Sequence, residues 1–279
     1  MPQNLKPVDA ILRVSFVIPV YNSAASIALC VASIASQTRV DLISEIILVN
    51  DGSTDNSLQE LRRLQRLYSN RPVVVEDNIT RKYAAFSRNR GIERATGDLI
   101  CFIDSDIILP PDYVSSHVMQ HQADPQCITF SLRSNITDIT RLVFPITHAV
   151  GDFRDKLLLS QDTLMDEDFA FCATHTLAEL CLTCAVTYRR SDLLQVKGCP
   201  ENFQGWGFND TAMAAKVIAL GRSTVPLYGV TVGHLEHAPR SGNTSKKWAE
   251  FAKNKQRYTL MLDLPARQTH EHYIAELEL

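Results

Sequence analysis

Four apolar, β-branched runs recur in the first hundred or so residues. They are VSFVIPV (14–20), SEIILVND (44–51), PVVVED (72–77) and LICFID (99–104), and segments of helical periodicity lie between them. Residues 23–37 carry apolar side chains at helical spacing, with Ser23 placed to cap them. Residues 53–68 set Leu58, Leu61, Leu64 and Leu67 on one face, and residues 83–95 read as a third helix. A strand that is apolar throughout must be covered on both faces. Alternation with helices therefore predicts an α/β fold with a mostly parallel sheet flanked by helices. Ligands in such sheets bind where strands end and loops begin.

The pattern loosens over residues 128–168. Beyond it, LTCAVTYRR (182–190) is strand-like, and residues 191–197 read as a short helix stopped by Gly198. Residues 209–220 form a further helix closed by Gly221, and TVPLYGVTVGHLEH (224–237) returns to strand. No Pro-, Ser- or Gly-rich linker divides the 279 residues, so a single domain is expected. The 45% hydrophobic and 21% charged content suits a globular core. With 28 Lys and Arg against 31 Asp and Glu, no basic excess points to nucleic acid. No apolar run reaches the roughly 20 residues of a membrane span, and MPQNLKPVDAILR lacks the plan of a secretory signal. Seven scattered cysteines read as reduced thiols, so a cytoplasmic location is expected.

Three polar clusters directly follow apolar strands: Pro19, Tyr21 and Asn22; Asp51 and Asp55; Asp104, Ser105 and Asp106. Together they offer what a nucleotide site needs. An aromatic ring can lie on a base, a carboxylate can accept base or ribose protons, and a carboxylate pair can hold a divalent cation on a diphosphate. Asp, Gly and Ser also favour turns and helix caps, so NDGSTD fits a turn equally well. If Asp104-Ser105-Asp106 is extended, its two carboxylates face the same side. A solvated acidic loop is the plainer reading of the same three residues.

In order, VIPVYN, NDGSTD, SRNRGIERATGD and FIDSD resemble the nucleotide half of family 2 glycosyltransferases with the GT-A fold, over residues 13–115. The resemblance implies that Tyr21 and Asp51 hold uracil and that Pro19, Asn22, Arg88, Asp104 and Ser105 lie on the nucleotide. It implies that Asp106 binds Mn²⁺ or Mg²⁺. Residues 188–221 resemble the C-terminal signature of chondroitin-polymerase-like enzymes and β-1,4-galactosyltransferases, usually Gly-Trp-Gly-x-Glu-Asp. Here it reads Gly205-Trp206-Gly207-Phe208-Asn209-Asp210. That match implies glycines letting the backbone approach a sugar, Trp206 stacking on the acceptor and Asp210 deprotonating it. Asn209 replaces the usual Glu, which leaves the acceptor open. Trp206 as core filling and Asp210 as a helix-start charge are the structural alternatives.

The same resemblance places a metal-binding histidine at the end of the later strand, His234 by spacing, with His237 second. The implied plan has a nucleotide-sugar half at about 13–127, an acceptor and metal half at about 128–238, and a flexible lid with a C-terminal helix at 239–279. The lid would span residues 240–247, and a solvated face explains most of Lys246, Lys247, Lys253, Lys255 and Arg257. The expected activity is an inverting, metal-dependent transfer of sugar from a UDP-sugar to a saccharide, peptide or small-molecule hydroxyl. Two rivals stand beside it. One is a haloacid-dehalogenase-like phosphatase using the DxD carboxylates; the other is an inactive nucleotide-sugar-binding module. Cys181-x-x-Cys184 lacks a second pair and reads as core, and His117 and His121 read as a helix surface.

Overall fold

The computed structural model describes residues 11–146, 178, 180–236 and 244–262. The four apolar runs become β1 (Val14–Val20), β2 (Ile43–Asp51), β3 (Val73–Asn78) and β4 (Leu99–Ile103). Between and beyond them lie α1 (Ile27–Ala35), α2 (Ser57–Leu67), α3 (Tyr83–Arg94), the short β5 (Ile107–Ile108) and α4 (Tyr113–Ala123). The second half adds β6 (Cys127–Ile136), β7 (Ala185–Arg189), α5 (Arg190–Gln195), α6 (Asn209–Ile218), β8 (Ser223–Leu235) and α7 (Thr244–Leu262). The helix expected from Ser23 begins at Ile27, with Ser26 at the N-cap position and its hydroxyl donating back to Ser23 C=O.

All eight strands join one sheet in the order β3-β2-β1-β4-β7-β6-β8-β5. The ladders among β3, β2, β1 and β4 are parallel, as is the long β6–β8 ladder. β7 runs antiparallel to β4 and β6, and β5 antiparallel to β8. Alternation along each strand feeds two cores. Phe16, Ile18, Ile46, Leu48 and Cys101 meet α1, α2 and α4 on one face. Val17, Ile47, Val49, Ile100 and Phe102 meet α3, α5 and α6 on the other. Double coverage is why these strands are apolar throughout.

Two expectations change. The stretch from residue 128 opens with the ten-residue β6, whose inward Thr129 and Ser131 break the apolar pattern. Their partners are His117 and His121, which are buried, not surface, residues. His117 contacts Thr129 Oγ1 at 2.7 Å and Ser131 Oγ at 3.0 Å, and His121 Nε2 lies 3.2 Å from Thr129 Oγ1. Burial pushes both imidazoles below their ordinary value, His121 to about 3. Cys181 and Cys184 are buried, in no disulfide, just before β7. Among the described residues no helix is long and apolar enough to cross a membrane.

Candidate active site

The carboxyl ends of β1, β2 and β3 lie side by side, with Val20 opposite Asn50 and Asp51 opposite Asn78. Pro19 sits in β1 next to Val49, and Tyr21 follows at the strand's end. The guanidinium of Arg81 lies 4.0 Å from the Tyr21 ring centroid and 4.9 Å from that of Tyr83. Asp51 is buried and its Oδ1 accepts from Lys82 N–H at 2.8 Å. Asn22, in the left-handed region with φ 49°, spends its amide within the loops: Oδ1 accepts from Thr54 N–H at 2.8 Å. Asp55 accepts from Ser57 and Ala24 N–H, the capping use of an Asp in a turn. Sequence patterning had no means of finding Arg81 and Lys82, because loop positions carry no period.

Asp104-Ser105-Asp106 is a turn, not the extended segment expected, with Ile107 N–H donating back to Asp104 C=O at 3.2 Å. Its two carboxylates therefore take different partners. Asp104 Oδ1 lies 3.5 Å from Arg88 Nη2, with its side chain 42% exposed. The buried Asp106 presents Oδ1 3.7 Å from His234 Nε2. That pairing follows from the sheet: Ile107 opposes His234 in the β5–β8 ladder, and Leu235 N–H donates to Asp106 C=O at 2.9 Å. Ser105 faces inward and donates to Ser23 Oγ at 2.7 Å, tying this turn to the loop after β1.

Two donors that share an ion at about 2.1 Å each must lie within about 4.2 Å of one another, and Asp106 and His234 meet that condition. Among the described residues no group of three candidate metal ligands forms. A cation here would complete its shell with diphosphate oxygens and water, as oxygen-preferring divalent ions do. His237 and residues 240–243 of the expected lid lie outside the described residues.

The third edge comes from the start of α6. Phe208 enters the helix at φ 60°, followed by Asn209 and the half-buried Asp210, whose Oδ1 accepts from Thr211 N–H at 3.0 Å. Asn209 is buried and its Oδ1 accepts from Arg88 Nη1 at 2.6 Å. Arg88 therefore links Asp104 to the start of α6.

The glycines have a use the sequence did not reveal. Gly205 and Gly207 have φ 81° and 92°, and a Cβ there would fall 2.5 Å from the Glu250 carboxyl carbon and 2.6 Å from the Phe251 ring. They let α7 close on the loop. Asn254, fully buried in α7, donates to the carbonyls of Gln204, Trp206 and Gly207 at 3.0–3.2 Å. Trp206 is 40% exposed and so is not core filling. As expected, Lys246, Lys247, Lys253 and Lys255 are exposed along α7.

The comparisons agree with this plan. Residues 168–239 match the profile described as the N-terminal domain of galactosyltransferase. A validoxylamine A glucosyltransferase of Streptomyces hygroscopicus is 29% identical over 220 residues, 74% of this chain and 51% of that protein. A poly(ribitol-phosphate) β-glucosyltransferase of Bacillus spizizenii is 39% identical over 108 residues, 39% of this chain and 16% of that protein. The chain thus spans about half or less of these relatives' lengths. A mannosyltransferase from Pyrobaculum calidifontis, solved with GDP-Man and Mn²⁺, superposes at a TM-score of 0.67 with 19% identity. It covers all of this chain and 74% of that one. Staphylococcus aureus TarS with UDP-GlcNAc gives 0.67 at 17% identity, over 93% of this chain and 69% of that one. These likenesses establish the GT-A fold. Residues 15–190 match the profile of glycosyl transferase family 2, which leaves no place for a dehalogenase-like phosphatase: the chain belongs to that family.

Proposed function

We propose that this chain is an inverting, metal-dependent glycosyltransferase that moves a sugar from a UDP-sugar to an acceptor hydroxyl. The observation that carries the reading is convergence. The Tyr21–Asp51 slot, the Asp106–His234 pair and the start of α6 with Asp210 share one edge of the sheet. Arg88, which reaches both Asp104 and Asn209, and the Ser105–Ser23 hydrogen bond tie these parts to one another and support the reading.

In this reading Tyr21 offers its ring to uracil and Asp51 accepts a base N–H. Pro19, Asn22 and Ser105 shape the loops around the nucleotide, and Asp104 faces the ribose, braced by Arg88. Asp106 and His234 hold Mn²⁺ or Mg²⁺, which supplies positive charge to the departing diphosphate. Asp210 takes the acceptor proton as that oxygen attacks the anomeric carbon. Attack comes from the face opposite the nucleotide, so the bond to the diphosphate oxygen breaks and the configuration inverts. Gly205, Trp206 and the Asn209 amide NH₂ border the acceptor.

The deciding experiment is a nucleotide-release screen over UDP-Glc, UDP-Gal, UDP-GlcNAc and UDP-GalNAc with Mn²⁺, with GDP-Man as the control donor. Release of UDP from one of these donors supports the reading. Tight UDP binding without release, whatever the acceptor, would instead favour an inactive binding module.

A further inference from the structure

The sheet has a second end. Arg13 stands just before β1, Ile43 opens β2, Pro72 precedes β3 and Ala35 closes α1. The three strands begin side by side here, with Val14 opposite Ile43 and Ile46 opposite Val73. Asp51 and Asp104 lie at the other end, where the strands finish. β2 runs the whole way between, on the order of 25 Å at about 3.3 Å per residue.

A cavity of about 210 Å³ opens among the strand starts. Ala35, Val40, Ile43, Ile46 and Pro72 supply its apolar lining, and Ile43 and Ile46 are buried. A cavity of roughly 150 Å³ admits benzene, so the larger volume here has room for one six-membered ring and a carboxyl group. Aliphatic walls give a hydrated sugar or a bare ion nothing to replace its water, so they favour an apolar body.

The polar part of the lining is basic. Arg13 and Arg71 contribute to it, together with Asn70 and Asp41. The Arg13 guanidinium donates to Ser44 Oγ at 3.2 Å and to Ile43 C=O at 3.4 Å, both uncharged acceptors. Asp98 takes only the main-chain N–H of Arg13, at 3.0 Å. The Arg71 guanidinium has no ion-pair partner among the described residues. Asp41, the carboxylate of the lining, is held by Arg39 through two bonds at 2.9 and 2.8 Å. Arg13 and Arg71 therefore keep their charge for a ligand, and a guanidinium fork matches the two oxygens of a carboxylate.

We propose that this cavity binds a small monocarboxylic acid built on one ring, at a site separate from the candidate active site. The ring fills the aliphatic chamber, and the carboxylate accepts from Arg13 and Arg71. Volume, walls and charge select that class together. A neutral ring gains nothing from the guanidiniums, inorganic phosphate leaves the apolar chamber empty, and a nucleotide exceeds the volume.

The test titrates the full chain with benzoate, cyclohexanecarboxylate, benzamide and inorganic phosphate, followed by ligand-observed NMR. The two acids should bind saturably at one site per chain and about tenfold or more tighter than benzamide, with the preference fading as salt rises. Arg71→Gln should erase the preference for acid over amide. Ala35→Leu, which fills the chamber, should weaken benzoate by about tenfold or more. Urea midpoints separate a lost site from a lost fold, and Val40→Phe fills the same chamber should Ala35→Leu not fold. Excess UDP should leave benzoate in place. Failure of both acids to bind overturns the proposal, and so does benzamide binding as tightly as they do. Phosphate matching benzoate would make this a bare anion patch and overturns it too. Benzoate binding unchanged in Arg71→Gln and in the chamber-filling variant, or displaced by UDP, would put the acid elsewhere and has the same consequence.

Discussion

Arg88 of α3 donates to Asn209 Oδ1 at 2.6 Å, joining residues 121 positions apart. The same guanidinium reaches Asp104 at 3.5 Å, so one buried cation holds the turn after β4 and the start of α6 together. A hydrogen bond to a buried charged group is worth about 1.5–3 kcal/mol. Arg88→Met and Asn209→Ala should each lower unfolding stability in urea by an amount in that range. Because they share one contact, the double variant should lose less than the sum. Additive losses would mean that the contact contributes nothing of its own.

The proposed roles of Asp106 and His234 as metal ligands make transfer dependent on a divalent cation. Asp106→Ala removes one of two donors and leaves the diphosphate charge uncompensated. Transfer should fall on the order of a hundredfold or more, since charge stabilisation of this kind is worth several kcal/mol. EDTA should do the same to the wild type and added Mn²⁺ should restore it. Full turnover in EDTA would rule out the metal.

The base slot is tested by nucleotide affinity. Asp51 lies buried with Lys82 N–H on one oxygen. Asp51→Ala should weaken UDP binding by about 1–3 kcal/mol, read by calorimetry. The wild type should prefer UDP to GDP and ADP, and equal affinity for all three would remove the base-specific role of Tyr21 and Asp51.

What was legible in the sequence, and what was not, has a physical cause. β1 to β4 could be read because each is packed on both faces, which forces an unbroken apolar run. β6 could not, because its inward Thr129 and Ser131 are satisfied by His117 and His121, and side-chain pairing across elements leaves no local pattern. That Asp104-Ser105-Asp106 follows a strand could be read, but whether it is extended could not, since the Asp104–Ile107 turn bond leaves no trace in composition. The Gly205 and Gly207 positions were singled out for a sugar, whereas their immediate neighbours are Glu250 and Phe251 of α7.

The two buried histidines give a pH signature. Burial lowers both, His121 to about 3, so the folded chain keeps them neutral while the unfolded chain protonates near pH 6.5. Their contribution is therefore present above about pH 6.5 and is lost as pH falls. The loss is up to roughly 1.4 kcal/mol per pH unit for each histidine, running down toward about pH 3 for His121. Urea midpoints between pH 7.5 and 5 should decline accordingly, and His121→Gln should flatten the slope. An unchanged slope would mean that His121 titrates in the folded state.

The sharpest division of labour is between Asp210 and the donor end of the site. Asp210 is half-buried in the first turn of α6, and its Oδ1 accepts from Thr211 N–H. Asn at this position keeps the size and the oxygen that makes that bond, so the helix start should survive. It has no carboxylate to take a proton. If Asp210 is the general base, Asp210→Asn should lower sugar transfer by roughly 10²–10⁴-fold, the usual share of acid–base catalysis. UDP should still bind with Mn²⁺ at close to wild-type affinity, because in the proposed reading that end is made by Tyr21, Asp51, Asp106 and His234. The loss should fall on kcat and not on the acceptor KM, the pattern of an interaction made only in the transition state. Near-normal transfer by Asp210→Asn would mean that another group removes the proton and that Asp210 only begins the helix.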